Sequence, residues 1–393
     1  MCKSNLALLF LTIGMCSQRL SIAVGNIFLG LALLTFFIIL YDRHKQGLPL
    51  FKKEYLPYYK IYGIFLLLLI PSVLFAGTLK ISFKNFMEMW IYRFMPFVLV
   101  TNLDYLDKFW KKCFLATIVY VGFDGAVCII QLLTNHTDEA GRALGLGDGY
   151  LRFSSILVTL LAVALVFWLD KVDFPQKQIM PLCAIAMICG GIGVQSRGSW
   201  VVSAGIIFIV MLKYLGGSFK KVTAIVLCLA CIIGITGTSQ HFRERFCSID
   251  NITTDRSNGD RIEGWKSAWV MFQDKPVVGW GLNQSNDAYR AKYRSKAETQ
   301  GLNHFHNNYV EMAVNTGVFG FVGYLFLVIG WLWLHRDWRN GYNVAVCLSW
   351  LTFHAFGMIE YNVDLSASIK MLWFVMGMLA CLRVNSEQTA QKD

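Results

Sequence analysis

The chain has 393 residues, of which 55% are hydrophobic and only 16% are charged. Because soluble domains usually carry about 25% charged residues, this composition argues against a soluble protein and for a membrane protein. The formal net charge is +11, and the basic residues lie mainly in short loops between apolar stretches. Anionic headgroups and anionic ligands are therefore expected as partners, and nucleic acid is not.

Apolar stretches long enough to cross a bilayer recur along the whole chain. A helix needs about 20 residues to cross about 30 Å of hydrocarbon, and only a helix satisfies every backbone group within such a segment. The stronger candidates are 20–40, 60–76, 111–133, 153–169, 179–195, 199–215, 219–238, 309–334, 341–360 and 366–383. Two further stretches, 5–17 and 86–100, are short or carry charges. The sequence predicts an all-α polytopic membrane protein with about 12 transmembrane helices.

One long polar segment, residues 239–308, divides the predicted spans into helices 1–9 within residues 1–238 and helices 10–12 within residues 309–384. Lys and Arg are concentrated in alternate short loops, which predicts that both termini, including the tail 385–393, are cytoplasmic. The long segment then lies on the outer side, since long loops translocate regardless of their charge. Apolar residues at helical spacing over 261–272 and the pattern over 284–296 predict that this loop is partly helical.

Arg197 lies in a short outer turn between two predicted spans. It is either a charge that extends from a helix end to the interface or a residue that binds an anion. The second interpretation has three supports. The guanidinium presents a planar fork to phosphate oxygens, Gly198 permits close backbone approach, and the helix that begins there adds its positive dipole end.

The long outer loop contributes two more candidates. Arg261 opens its first predicted helix, where it either belongs to a solvated face or makes a second phosphate contact. His306 lies where the loop enters the next span, and imidazole is the side chain that moves protons near neutral pH. Glu311 follows about a turn and a half later, from where it would orient His306 or stabilise its charged form if the two are close.

The other ionisable groups of interest have mainly structural interpretations. Glu360, Asp364 and Lys370 are expected to pair with one another at the outer ends of the last two spans. The glycine-rich stretch 141–149, which includes Arg142, suggests a flexible lid or else a plain turn-rich connector. The sequence has no P-loop, no His-Glu-x-x-His and no Cys/His cluster, so we expect neither a cofactor nor a metal ion.

Four short motifs carry a family resemblance. They are Ser-Arg-Gly-Ser-Trp at 196–200, Asp-Arg-x-x-x-Trp at 260–265, Pro-Val-Val-Gly-Trp-Gly at 276–281 and His-Asn-x-Tyr-Val-Glu at 306–311. In this order and on this topology, the set resembles the O-antigen ligase family, which joins O-antigen to lipid A–core in bacterial lipopolysaccharide.

The resemblance implies an inner-membrane enzyme whose long loop is periplasmic. Its donor would be an undecaprenyl-diphosphate-linked glycan, its acceptor a sugar hydroxyl of lipid A–core, and neither ATP nor metal would be needed. The family's catalytic His falls on His306, chosen over His304 by the Asn-x-Tyr-x-Glu pattern that follows it, and the family's two essential Arg residues fall on Arg197 and Arg261. The expected supporting residues are Glu311, Tyr309, Asn307, Trp265 and Arg142.

Two alternatives remain open at the level of sequence. O-antigen polymerases use the same donor with another lipid-linked glycan as acceptor, although they generally have two large outer loops. A polytopic transporter is the alternative of another class, and Asp124 is its best candidate for a charge inside the membrane.

Overall fold

The structure is a computed structural model that describes residues 2–105, 108–214 and 256–390. Within these ranges the chain is helical and contains no β-strand, as predicted. The predicted span 219–238 and the first part of the predicted outer loop, 239–255, lie outside the described residues.

The helices are numbered here in chain order over the described residues. Those before residue 215 are α1 (Lys3–Ser17), α2 (Ile22–Lys45), α3 (Leu56–Phe75), α4 (Leu79–Phe86), α5 (Met95–Asn102), α6 (Phe109–Leu133), α7 (Tyr150–Leu169), α8 (Met180–Gly193) and α9 (Arg197–Tyr214). Those after residue 255 are α10 (Arg256–Asp274), α11 (Ser285–Ala288), α12 (Asn308–Leu334), α13 (Gly341–Phe356) and α14 (Ser366–Ala390). Single 3₁₀ or π turns lie at Lys53–Tyr55, Met87–Ile91, Tyr92–Phe94, Lys177–Ile179 and Tyr289–Tyr293.

Within the described ranges, 7 helical segments are long and apolar enough to cross a membrane. They are Ile22–Lys45, Lys53–Phe75, Phe109–Leu133, Tyr150–Leu169, Arg197–Tyr214, Asn308–Leu334 and Ser366–Thr389. Each contains or overlaps a predicted span. Lys3–Ser17 and Lys177–Gly193 are apolar but shorter. The protein is therefore a multi-pass membrane protein, and the total of about 12 spans remains a prediction.

Two predicted boundaries differ from the structure. The stretch 86–100 is a π turn, a 3₁₀ turn and the short helix α5 in succession, because Pro96 lacks the N–H needed to continue a helix and instead lies in the first turn of α5. At the other end, α14 continues to Ala390, so residues 385–390 of the predicted tail are helical.

The spans pack around α7 and α14, which are buried along almost their whole apolar length. Small residues allow the closest helix contacts, as is common in membrane bundles. A Cβ atom added to Gly125 of α6 would lie 2.3 Å from the carbonyl oxygen of Ala186 in α8. No larger residue fits there without moving α6 away from α8.

A buried ion pair fixes the glycine-rich loop 141–149 to this bundle. Arg19 Nε lies 2.9 Å from Asp124 Oδ2, and neither side chain is exposed. Asp124 accepts a hydrogen bond from the backbone N–H of Leu146 at 2.7 Å, while Arg19 donates to the carbonyl oxygen of Leu144 at 2.8 Å. The loop is thus tethered from both partners, which favours the connector interpretation over the flexible lid. Asp124 has a structural partner, so it offers no support for the transporter alternative.

We predict that Asp124→Ala lowers the free energy of unfolding by about 3–5 kcal/mol, because it leaves the Arg19 guanidinium buried without its counter-charge. Denaturant titration in detergent micelles measures this change. The matched control is Asp173→Ala, since Asp173 pairs with Lys111 at 2.8 Å but is 94% exposed. Asp173→Ala is expected to lower the free energy of unfolding by at most about 1 kcal/mol. Equal losses in the two variants would contradict the anchoring role.

Candidate active site

Four segments that are distant in sequence meet at one end of the bundle. The first turn of α9 supplies Arg197, and the N-terminal half of α10 supplies Arg261. The loop that precedes α12 supplies His304 and His306. The fourth segment is the connection between α13 and α14, which supplies Glu360.

The histidine loop is fixed through the backbone of Phe305. Its N–H donates to Glu311 Oε1 at 2.5 Å, and its carbonyl oxygen accepts from Trp265 Nε1 at 2.7 Å. The Phe305 ring is buried and packs edge-on against Tyr289 at a centroid distance of 5.3 Å. Because Phe305 points inward, its two neighbouring histidines are free to face the other way. Glu311 thus positions the loop through its backbone, and no hydrogen bond joins Glu311 to His306 in the described part of the chain.

Both histidines converge on the carboxylate of Glu360. His306 Nδ1 lies 3.1 Å from Oε2 and 3.2 Å from Oε1, and His304 Nε2 lies 3.0 Å from Oε1. The two imidazole centroids are 4.1 Å apart. The Arg261 guanidinium approaches the same carboxylate, with 4.0 Å between NH2 and Oε2. Glu360 is therefore the residue that joins the predicted base to one of the predicted phosphate ligands.

This arrangement shifts the pKa values of Glu360 and His304. Burial raises the pKa of Glu360, but the hydrogen bonds from His304 and His306 outweigh it and hold that pKa well below the ordinary range. Burial lowers the pKa of His304, and the hydrogen bond with Glu360 outweighs this effect, so the net pKa is raised. Glu360 is thus an ionised carboxylate that favours positive charge on His304.

Asn307 and Tyr309, two of the expected supporting residues, belong to the start of α12. Asn307 Oδ1 accepts from the N–H groups of Tyr309 and Val310 at 2.9 and 3.2 Å, which caps the helix. Its Nδ2 donates to the carbonyl oxygen of Met358 at 2.9 Å, two residues before Glu360. The cap therefore holds the histidine loop and the Glu360 segment together, while the Tyr309 ring packs against Tyr324 at 5.5 Å.

A cavity of about 310 Å³ lies beside Glu360, lined by Arg142, Arg197, Arg261 and Glu360 among others. The Arg142 guanidinium stacks over the ring of Tyr150 at 4.0 Å, which fixes its plane at the cavity wall. With three guanidinium groups on its wall, the cavity suits an anionic ligand with several oxygen atoms.

The structure brings Arg197 and Arg261 to one cavity, as the anion interpretation requires, and Arg142, an expected supporting residue, lines the same cavity. His306 is not among the residues that line this cavity, and it reaches the cavity only through Glu360. Trp265 and Glu311 lie behind the histidine loop.

The expected pairing of Glu360, Asp364 and Lys370 is wrong. Glu360 is bound to the histidines, Asp364 Oδ1 lies 3.7 Å from Arg93 NH1, and Lys370 Nζ donates to Asn26 at 2.6 Å. The functional position of Glu360 was missed because its partners lie 54 and 56 residues away in sequence. One usable signal was present: Glu360 is a carboxylate at the end of a predicted span, where ionisable groups are rare and often functional.

Comparison with known proteins finds a family match, over part of the chain. Residues 182–325 match the family model described as O-Antigen ligase. The match supports an O-antigen ligase family assignment. It indicates a glycan-transferring membrane enzyme of the O-antigen ligase or polymerase type. No curated protein matches the chain. The range matched to the O-antigen ligase family includes Arg197, Arg261 and His306, whereas Arg142 and Glu360 lie outside it.

We predict that Trp265→Phe speeds amide hydrogen exchange over residues 302–308, since it removes the donor to the buried Phe305 carbonyl but keeps an aromatic ring. An unpaired buried acceptor costs about 1–3 kcal/mol, which weakens the loop. Exchange measured by mass spectrometry in micelles tests this. Trp269→Phe is the control, because Trp269 lies on the same helix but is 60% exposed. In Trp269→Phe, amide exchange over residues 302–308 should match that of the wild type. Unchanged exchange in Trp265→Phe would show that the hydrogen bond from Trp265 to Phe305 does not hold the loop.

Proposed function

We propose that the protein is an O-antigen ligase that transfers a glycan from undecaprenyl diphosphate to a sugar hydroxyl of lipid A–core. The observation that carries the proposal is the shared carboxylate. Glu360 lines the cavity that also contains Arg197 and Arg261, and it is hydrogen-bonded to His306. A diphosphate in this cavity would bring C1 of the donor sugar close to the proposed base.

The arginines act on the leaving group. As the bond between C1 and the diphosphate oxygen breaks, negative charge grows on that oxygen, and preformed donors in a site away from bulk water stabilise it. Arg197 and Arg261 bind the diphosphate in this proposal, and Arg142 is a third guanidinium of the same cavity. Undecaprenyl diphosphate departs with the electron pair of the broken bond, so neither a nucleotide nor a metal ion is required.

His306 acts on the acceptor. Its Nδ1 faces Glu360, so the neutral ring would carry its proton on Nδ1 and leave the Nε2 lone pair available. Nε2 takes the proton of the acceptor hydroxyl while that oxygen forms the new bond to C1. Glu360 is a positioning residue, because it selects this tautomer and stabilises the imidazolium that forms. Displacement from the face opposite the diphosphate inverts the anomeric centre.

The proposed setting is the periplasmic leaflet of a bacterial inner membrane, with both termini in the cytoplasm. The distribution of Lys and Arg supports this orientation, since the short loops on one side are the basic ones. The site then opens toward the leaflet in which donor and acceptor would meet.

An O-antigen polymerase is the second candidate, because the family match covers both ligase and polymerase types. Purified protein with lipid-linked donor and lipid A–core, in chelator and without nucleotide, distinguishes the two. A ligase extends lipid A–core under these conditions. A polymerase extends only when a second lipid-linked glycan is present.

Linkage analysis of the product tests inversion, and retention of the donor's anomeric configuration would argue against direct displacement. Absence of any transfer in both mixtures would refute the proposal.

We predict that His306→Ala lowers the rate of transfer by roughly 100-fold to 10,000-fold while the protein remains inserted and expressed, because the general base is lost. The rate of glycan transfer in micelles is the measurement. His136→Ala is the matched control, since His136 is exposed and lies away from this cavity. Near-normal transfer by His306→Ala would end the assignment of the base.

We predict that Arg197→Lys lowers kcat about tenfold or more, because an ammonium group cannot present a planar fork to the diphosphate. Steady-state kinetics in micelles measures this effect. Arg256→Lys is the control, since Arg256 is exposed and does not line the cavity. A silent Arg197→Lys would mean that Arg197 contributes only a positional charge.

A further inference from the structure

His304, His306 and Glu360 have the composition and spacing of a metal site. One ligand atom from each residue can be chosen so that all three atoms lie within 4.8 Å of one another. Two imidazoles and one carboxylate form a ligand set that suits zinc, since zinc binds nitrogen and carboxylate oxygen and its open sites keep three protein ligands. The sequence alone does not reveal this set, because Glu360 is far along the chain from the histidines.

The distances are close to those that zinc coordination needs. Zinc lies about 2.0–2.2 Å from imidazole nitrogen and carboxylate oxygen, so two ligand atoms of a tetrahedral ion are roughly 3.3–3.5 Å apart. The distance from His306 Nδ1 to Glu360 Oε2 is 3.1 Å, and that from His304 Nε2 to Oε1 is 3.0 Å. To bind the ion, these two contacts would open by a few tenths of an ångström, and the two histidine nitrogens, which lie within 4.8 Å of each other, would come to the same spacing.

Access and charge set how tightly the ion would bind. The Glu360 side chain is 3% exposed, whereas those of His304 and His306 are 33% and 22% exposed, so an ion can enter from the imidazole side. Arg261 opposes binding, because its guanidinium lies 4.0 Å from Glu360 Oε2 and repels a second cation. These contributions favour a reversible site of moderate affinity over a permanent structural one.

We propose that His304, His306 and Glu360 bind a zinc ion and that the bound ion inhibits glycan transfer. The inhibitory part rests on the proposed function. Zinc on Nδ1 of His306 leaves the proton of the neutral ring on Nε2, so that Nε2 cannot accept the proton of the acceptor hydroxyl. Magnesium does not bind here, since it prefers an octahedral set of oxygen ligands.

Direct binding tests the site without any substrate. Full-length protein in detergent micelles is treated with chelator, exchanged into buffer and titrated with ZnCl2 or MgCl2 by isothermal calorimetry. We expect one zinc-binding event in the wild type, in addition to any background binding by the Cys residues. The zinc affinity of this event should be roughly 100-fold or more weaker in His304→Gln, which has the same Cys residues. We also expect tighter zinc binding in Arg261→Gln, where the repelling charge is gone. Equal zinc affinity in wild type and His304→Gln would overturn the site, as would equal affinity in wild type and Arg261→Gln.

The elution profile and melting temperature of His304→Gln without metal show whether this variant folds. If it does not, Glu360→Gln tests the same site. Its zinc affinity should also fall roughly 100-fold or more, and wild-type affinity would overturn the site. Transfer assays then separate the two proposals. Failure of wild-type transfer in chelator refutes the proposed function and leaves the binding result standing. Active protein that binds zinc yet transfers glycan at an unchanged rate would overturn the inhibitory step.

Discussion

The candidate site depends on how one buried carboxylate, that of Glu360, is kept ionised away from water. A buried charge is stable only when paired and hydrogen-bonded. Glu360 satisfies this requirement with two imidazoles at 3.0–3.2 Å and a guanidinium at 4.0 Å. Those partners come from the histidine loop and from α10, so the need to neutralise one charge brings three distant segments together. The same contacts place the proposed base beside the proposed diphosphate cavity.

The surrounding scaffold limits how far these groups can move. Phe305 is held at its N–H by Glu311 and at its carbonyl by Trp265, and Asn307 caps α12 while binding the Met358 carbonyl. Each of these contacts holds loop backbone in place. Binding and catalytic residues are commonly found on loops that a rigid scaffold positions in this way. Trp265, Glu311 and Asn307 therefore belong to the site as residues that fix its geometry. In the proposed function, the chemistry is assigned to His306 and the arginines.

The sequence predicted what depends on local composition. Hydropathy identified spans such as 153–169 and 309–334, because crossing a bilayer imposes a length and an apolar character that can be read directly. Arg197 and Arg261 were predicted as phosphate contacts from their sequence positions and the family resemblance; the structure lines one cavity with both, and their binding of an anion stays a prediction. Contacts between distant segments were not predictable. Glu360 was assigned to the wrong partners, and the Arg19–Asp124 anchor that tethers loop 141–149 left no sequence pattern. The break of 86–100 into turns and a short helix was likewise missed, although Pro96 was a visible signal for it.

The central claim is that one cation-lined cavity holds the lipid-borne diphosphate next to His306. The most direct measurement is a cryo-EM structure of His306→Ala, in which transfer is expected to be slowed, with an undecaprenyl-diphosphate-linked glycan bound and no acceptor present. The account predicts diphosphate oxygens within hydrogen-bonding distance of the Arg197 and Arg261 guanidinium groups, with C1 of the first sugar facing position 306. Diphosphate density in another part of the molecule, or with C1 turned away from position 306, would contradict it.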